Sequence, residues 1–532
     1  TMPSWDMGYH SEILYTYGYY KEINPLWAKF LFANAGIAFP NIRVGGGYGD
    51  DVNGAAYACE LGFGQGVSIN MHAVASGMQW YGTDFNPAQV NFAKHLAAHG
   101  HAHIHLYDDA FGDFAQRTDL PQFDYICLHG IWSWISRENQ QYIVDFIQNH
   151  LKIGGVVYIS YNVSPGFIMF EPVRHLMKEF NDSLIAESLN NDARISVIKN
   201  FLESVVKVNP SVLLNNPGLP KRIEDTLTKD THYLTGEYLN EFWDIIHFSD
   251  MAKNLERAKL NFACSATGTE HLDNINLTAE QQQLLAQYKG TPLYETTRDF
   301  IVNQQFRRDF FVKGSMKLSE EQQQEQLYAT GVVLTVPAED VAYTVNTRIG
   351  VANLKKEIYE PIVKLMSDHK VYTFGEVIKA LTGKSAGKGA KLTEAQIFEA
   401  LRTMTLLGTL QPAAKEDTIA PEIIKHCQEF NRGVLLDAAG TQINYLACPV
   451  IQGGMYVNPI VMQMLAMTLR EPKVSASQLT DRILEQIQKH NSVLNKDGKP
   501  VTAEKEKRKL ISEMVDKFTK ITLPMLKSFQ MI

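Results

Sequence analysis

The stretch Ala55-Ala-Tyr-Ala-Cys-Glu60-Leu-Gly62-Phe-Gly64-Gln-Gly66-Val-Ser-Ile-Asn70 decides the fold. Its apolar start reads as a buried strand, three glycines within five residues read as a tight turn, and Val67 onward reads as a helix. Glycines at such a turn let the backbone approach a bound molecule, and the helix N-terminus attracts a carboxylate or phosphate. Working outward, strand patterns occupy 55–61, 79–84, 102–106, 123–128 and 156–161. Helical patterns at 87–99 and 137–150 lie between them, and Gly154-Gly155 reads as a turn before the last strand. This alternation predicts a parallel, doubly wound α/β sheet.

A glycine-rich turn alone is shared by nucleotide and dinucleotide folds. Three additions narrow it. Glu60 precedes the first glycine by two residues, where a carboxylate can engage a cationic amino group. Asp84 ends the second strand, 18 residues past Gly66, the place for gripping two ribose hydroxyls. Asp109-Ala110 follows the third strand, where an acid and a backbone N–H can read an adenine edge. An NAD site would put a third glycine at Val67 and has no use for Glu60. The set Glu60, Gly62, Gly64, Gly66, Asp84, Phe85, Asp109 and Ala110 therefore points to S-adenosylmethionine, with S-adenosylhomocysteine as product.

Length and composition bound the rest. At 532 residues the chain should hold two to four domains. No run of about 18 apolar residues occurs, which argues against a membrane-inserted helix. Thr1 to Gly8 lack the layout of a secretory signal. Five cysteines lie far apart with no CxxC, so neither disulfides nor structural zinc are expected, and a reducing cytoplasm fits. Residues 1–170 carry 7 basic and 14 acidic side chains, most of the net charge of −8. That excess repels polyanions and attracts cationic substrates, so nucleic acid is not an expected partner. His99, His101, His103 and His105 recur near the third strand, but no neighbouring carboxylate or cysteine completes a metal set.

Three domains are expected: a catalytic one over 1–170, a helical middle one over 171–315, and a C-terminal one over 316–532. The order of elements in 354–415 resembles a winged helix, with Gly408 to Pro412 reading as the start of its hairpin. Its loop 384–391 is basic through Lys384, Lys388 and Lys391. The expected reading is a solvated loop on a protein-binding or dimerisation module, in preference to phosphate contact.

Two segments carry a family resemblance: Phe123-Asp-Tyr-Ile-Cys-Leu-His-Gly-Ile-Trp-Ser-Trp-Ile-Ser136 and Leu151-Lys-Ile-Gly-Gly-Val-Val-Tyr-Ile-Ser-Tyr-Asn-Val-Ser-Pro-Gly166. Tyr20-Lys-Glu-Ile-Asn-Pro25 and Asp299-Phe-Ile-Val-Asn-Gln-Gln-Phe-Arg-Arg308 extend it over about residues 15–310. These resemble the bacterial S-adenosylmethionine-dependent methyltransferases with a regulatory domain. Within that family the chain looks like the rickettsial protein-lysine methyltransferases acting on outer-membrane protein B, with a lean to the trimethylating branch. Phe63 departs from the family's usual cysteine, and 45–51 looks inserted. The resemblance implies a Rossmann-like class I methyltransferase domain, a helical middle domain, a C-terminal domain and a homodimer. It also implies lysines of an outer-membrane surface protein as acceptors.

Methyl transfer to lysine needs a neutral amine in line with the donor and a slot tolerating cationic bulk. His129, Trp132 and Trp134 after the fourth strand, and Tyr161 and Asn162 after the fifth, are the candidates. His129, Trp132, Tyr161 and Asn162 are assigned the catalytic side, His129 also touching the cofactor. Core packing explains Trp132 and Trp134 as readily. Tyr15, Tyr17 and Tyr20 form a candidate lid. A small-molecule methyltransferase, or a non-catalytic S-adenosylmethionine sensor, fits the same cofactor residues.

Overall fold

The computed structural model describes residues 17–42, 56–382, 392–437, 440 and 442–532. Tyr15, the 45–51 stretch and the lysines of the 384–391 loop lie outside the described residues.

A helix, α1 (Pro25–Ala35), leads into five alternating units: β1 (Tyr57–Leu61), α2 (Val67–Ser76), β2 (Gln79–Thr83), α3 (Pro87–Gly100), β3 (Ile104–Tyr107), α4 (Phe111–Ala115), β4 (Phe123–Leu128), α5 (Arg137–His150) and β5 (Leu151–Asn162). Local chemistry starts the helices. The Asn24 side chain accepts from the Leu26 and Trp27 N–H groups, Asn86 from Ala88, and Ser136 from Asn139. All six residues of β4 are buried, as a parallel strand covered on both faces requires. Trp80, Tyr125 and Phe310 pack one face of the sheet, and Ile126, Leu128 and Phe311 pack the other.

The sheet has seven strands in the order β3-β2-β1-β4-β5-β7-β6, where β6 is Leu260–Ser265 and β7 is Phe306–Lys313. The first five are parallel, and β7 runs antiparallel between β5 and β6. The doubly wound architecture is as the alternation predicted. The sheet does not end at residue 170, however: its last two strands come from the stretch read as a helical middle domain. Their apolar residues alternate too irregularly with charge (Arg307, Arg308, Asp309) to read as strand. Gly154-Gly155 is a second correction. Both lie inside the 12-residue β5, with Gly154 at φ +80° beside a register irregularity, not in a turn.

Between β5 and β6 stand helices that include Glu171–Leu184, Leu219–Leu227 and Thr231–Tyr238, around a small core of their own. The C-terminal part contains the expected winged-helix order: Lys356–Met366, Tyr372–Thr373, Phe374–Thr382, Glu394–Leu407 and Leu410–Pro412. Its third strand differs from expectation. Leu410–Pro412 pairs antiparallel with the upstream Gly331–Leu334 and does not open a hairpin. The helix Pro421–Leu436 packs on α2 and α3, joining the C-terminal part to the sheet layer. Among the described residues no helix is long and apolar enough to cross a membrane.

Candidate functional site

The strand order reverses between β1 and β4, and a crevice opens at the carboxyl ends of the strands there. It forms a cavity of about 520 Å³. One wall is the turn Gly62–Gly66, with Asp84 and Phe85 beside it. Gly62 sits at φ +70°, and a Cβ there would lie 2.3 Å from Ile131 Cδ1. Gly66 sits at φ +76°, and a Cβ would lie 2.4 Å from Ala93 Cβ. Both positions demand glycine by conformation and by space. Asp84 holds the turn from below: its Oδ2 accepts the Gly64 N–H at 2.9 Å and its Oδ1 the Asn86 N–H at 3.0 Å. Gln65 lines the cavity with neither of its buried amide atoms paired among the described residues. The first turn of α2 has no side-chain cap, and Gly66 and Val67 at its start line this space.

Burial sets the charges. Asp84 is raised to about 7 by desolvation, against two backbone hydrogen bonds that lower it. Glu60 is raised to about 8 by desolvation and by the Asp84 charge. Two neighbouring carboxyls out of water cannot both ionise cheaply near neutrality.

The segment after β4 forms the second wall. The Gly130 N–H donates to Ser160 Oγ and the Asn162 N–H to Ser133 Oγ, both at 2.8 Å, stitching this segment to the end of β5. His129 shares a 2.7 Å hydrogen bond with the Tyr158 hydroxyl and stacks under Tyr20, ring centroids 3.8 Å apart. Desolvation and the Arg308 cation lower it to about 3, so it is neutral. Among the described N-terminal tyrosines Tyr20 reaches the site, whereas Tyr17 packs on Phe92.

Several expected positions fall elsewhere. Glu60 is 2% exposed and stands behind the turn, outside the cavity lining, with Oε2 unpaired among the described residues. Asp109 and Ala110 do not line the cavity. The Asp109 carboxylate is gripped by Arg117 through Nε and Nη2, which spends its acceptors away from a ligand. Trp132 is 2% exposed within the core that includes Ile135 and Ile143, and Trp134 lines the cavity in its place. In the 3-10 turn Trp132–Trp134 the two indoles point different ways, a turn-level fact that spacing does not reveal. Tyr161 is fully buried, donating to Asp309 Oδ2 at 2.7 Å inside a network with Arg307 and Asp299. That network is structural. Asn162 lines the cavity as expected, with Nδ2 unpaired among the described residues.

The far wall went unread. The helix Thr231–Tyr238 presents Tyr233 and Glu237, followed by Asn240, while Phe306 and Arg308 come from β7. This wall is locked to the second: Trp134 Nε1 donates to the Glu237 carbonyl at 3.1 Å, and the Asp244 N–H to the Ser133 carbonyl at 2.7 Å. No local pattern marks residue 237 as facing residue 62. Only the Arg307-Arg308 pair, within a quoted motif, gave any signal.

Of His99, His101, His103 and His105, only His99 joins a candidate metal set among the described residues, and its partners are His95 and Asp437. His95 and His99 both reach Asp437 Oδ2, the latter at 3.0 Å. The carboxylate missing from the local sequence arrives from more than 300 positions away.

Comparison with known proteins places this geometry. Residues 230–313, which hold the far wall, β6 and β7, match the family model described as the predicted methyltransferase regulatory domain. An uncharacterized protein of Synechocystis, sll1526, is 33% identical over 528 residues, covering 98% of this chain and 99% of its own. The chain belongs to the family of that cyanobacterial protein. A second family likeness, the uncharacterized RP789 of Rickettsia prowazekii, is 26% identical over 56% of this chain and 53% of its own. Among solved structures, PKMT2 from Rickettsia typhi in complex with AdoHcy superposes with a TM-score of 0.68 at 17% identity, covering 96% of this chain and 98% of that one. The family fold is therefore the Rossmann-like methyltransferase fold with added helical parts.

Proposed function

We propose that the protein is an S-adenosylmethionine-dependent methyltransferase acting on lysine side chains of a protein substrate, a bacterial outer-membrane surface protein being the expected class. The observation that carries this reading is the cavity at the strand-order reversal. The glycine turn, the uncapped start of α2, Asp84 and the unpaired amides of Gln65 and Asn162 converge there. These groups suit a molecule with a carboxylate, a ribose and an amino group. The helix start accepts the carboxylate, and Asp84 accepts from hydroxyls. S-adenosylmethionine, bound there, supplies an electrophilic methyl group. The complex reported for PKMT2 and the regulatory-domain match support the same cofactor.

On the acceptor side, Trp134, Tyr233 and Phe306 make the cavity aromatic, which suits an alkylammonium acceptor and its methylated product. Neutral His129, held between Tyr20 and Tyr158, contributes shape without adding a cation against the sulfonium. The acidic first third of the chain favours a cationic substrate. The test is calorimetric titration with S-adenosylhomocysteine, followed by incubation with labelled methyl donor and lysine-containing surface-protein fragments. Mass spectrometry then locates the label. Absence of S-adenosylhomocysteine binding overturns the cofactor; label on a non-lysine group or on a small molecule overturns the acceptor.

A further inference from the structure

We propose that Glu237 is the catalytic carboxylate that receives the acceptor ammonium and takes its proton; this rests on the methyltransferase reading above. Glu237 lines the same cavity as the glycine turn and Asp84, but from the opposite, regulatory-domain wall. Its backbone is fixed by the Trp134 indole, so the side chain projects from a held position beside an aromatic ring. Among the described residues its carboxylate has no hydrogen bond or ion pair, though it stands in a site lined by polar groups. Glu237 is half-buried and lines the cavity, so a carboxylate there without a protein partner is open to a ligand. The complement is a cation that enters from solvent: a primary ammonium.

The chemistry requires such a group. A lysine arrives as R–NH₃⁺ with no lone pair. Proton transfer gives R–NH₂ and the Glu237 carboxylic acid. Attack of the amine forms the N–C bond as the donor's C–S bond breaks, its electron pair leaving on sulfur. The product is R–NH₂CH₃⁺ and a neutral thioether, and the Glu237 proton returns to solvent. Burial raises the Glu237 carboxyl to about 8, which brings its proton affinity close to that of a desolvated amine. The titratable groups around it are Tyr233 and Tyr238 on its own helix and His232 beside them. Arg222 acts on both phenols from the helix Leu219–Leu227; Arg308 and neutral His129 face the cavity, as does Asp84 from the glycine-turn wall. None is a second carboxylate on that wall.

The experiment uses the full chain saturated with S-adenosylhomocysteine and n-butylammonium as the lysine mimic, followed by ligand-observed NMR. The wild type should bind n-butylammonium more tightly from pH 6.5 to 8.5 and discriminate it from n-butanol. Glu237→Gln should weaken n-butylammonium roughly tenfold or more, leaving n-butanol and S-adenosylhomocysteine affinity within about threefold. Glu237→Asp, which keeps the charge, should retain part of the pH response. Equal n-butylammonium binding by wild type and Glu237→Gln overturns the assignment while the cofactor reading stands. Failure of the wild type to bind S-adenosylhomocysteine overturns both.

A separate observation points to a divalent-metal site. The geometry assigns it to His95, His99 and Asp437, whose ligand atoms lie within 4.8 Å of one another. His95 and His99 are one helical turn apart on α3, so both imidazoles share a face. His99 is seated against Gly433, where a Cβ would lie 2.3 Å from the ring, so this helix leaves room for the imidazole. Two imidazoles and a carboxylate suit Zn²⁺, Co²⁺ or Ni²⁺. Bound metal would clip α3 to the helix Pro421–Leu436, a role apart from the cavity. Titration with Zn²⁺, and with Co²⁺ read by its visible absorption, should give one saturable site that raises the thermal midpoint. His99→Ala and Asp437→Asn should each weaken it at least roughly tenfold. Absence of saturable binding, or equal affinity in both variants, overturns it.

Discussion

Asp84→Asn separates ligand affinity from the pH dependence of stability, because it weakens the first and flattens the second. The carboxylate accepts the Gly64 N–H on one oxygen and the Asn86 N–H on the other. An asparagine keeps one acceptor and turns an NH₂ toward the other donor. The ligand's ribose also loses its charged acceptor, a contact worth about 1.5–3 kcal/mol. At about 1.4 kcal/mol per decade, S-adenosylhomocysteine should bind roughly 10- to 150-fold more weakly. The pH dependence of stability shifts as well. Glu60 and Asp84 both have folded values raised above their unfolded ones, to about 8 and about 7. The folded state therefore binds protons that the unfolded state releases. Their contribution is most favourable below about pH 4 and is lost as pH rises through about 8. Removing one of the two charges relieves the other, so the variant's midpoint should fall less than the wild type's between pH 6 and 8.5. The assays are isothermal calorimetry at pH 8 and thermal unfolding across that range. Unchanged affinity, or a variant that loses stability with pH as steeply as the wild type, refutes the reasoning.

Other outcomes follow from the same geometry. Gly66→Ala should destabilise the fold by more than the roughly 1–2 kcal/mol of a left-handed alanine, because its Cβ would meet Ala93; a lowered thermal midpoint with lost S-adenosylhomocysteine binding checks it. Trp132→Ala should cost about 3–5 kcal/mol in urea unfolding, as a core cavity, whereas Trp134→Ala should reduce methyl transfer at near-normal cofactor affinity. His129 is neutral above about pH 3, so His129→Asn should leave the limbs of the pH–rate profile between pH 6 and 9 in place. Arg307→Met should cost about 3–5 kcal/mol by stranding Asp299 and Asp309, measured by chemical denaturation.

Much of the nucleotide-side architecture is written locally. The β1 turn, the helix caps Asn86 and Ser136, and the mostly apolar β4 are decided by neighbours within a few positions, so period and turn chemistry reveal them. Gly62, Gly64, Gly66, Asp84 and Phe85 could be named for the same reason, since a strand–turn–helix places them in one arc. Tertiary packing decided the rest. Asp109 is drawn off by Arg117, and Trp132 and Trp134 part company in a single 3-10 turn. β6 and β7 join the sheet after some hundred intervening residues. Glu237 faces the glycine turn only because those two strands fold the regulatory segment back over the crevice, and Asp437 meets His95 and His99 only because one helix packs on another. Such meetings depend on how buried surfaces fit across long loops, and neither hydrophobic period nor residue spacing carries that information.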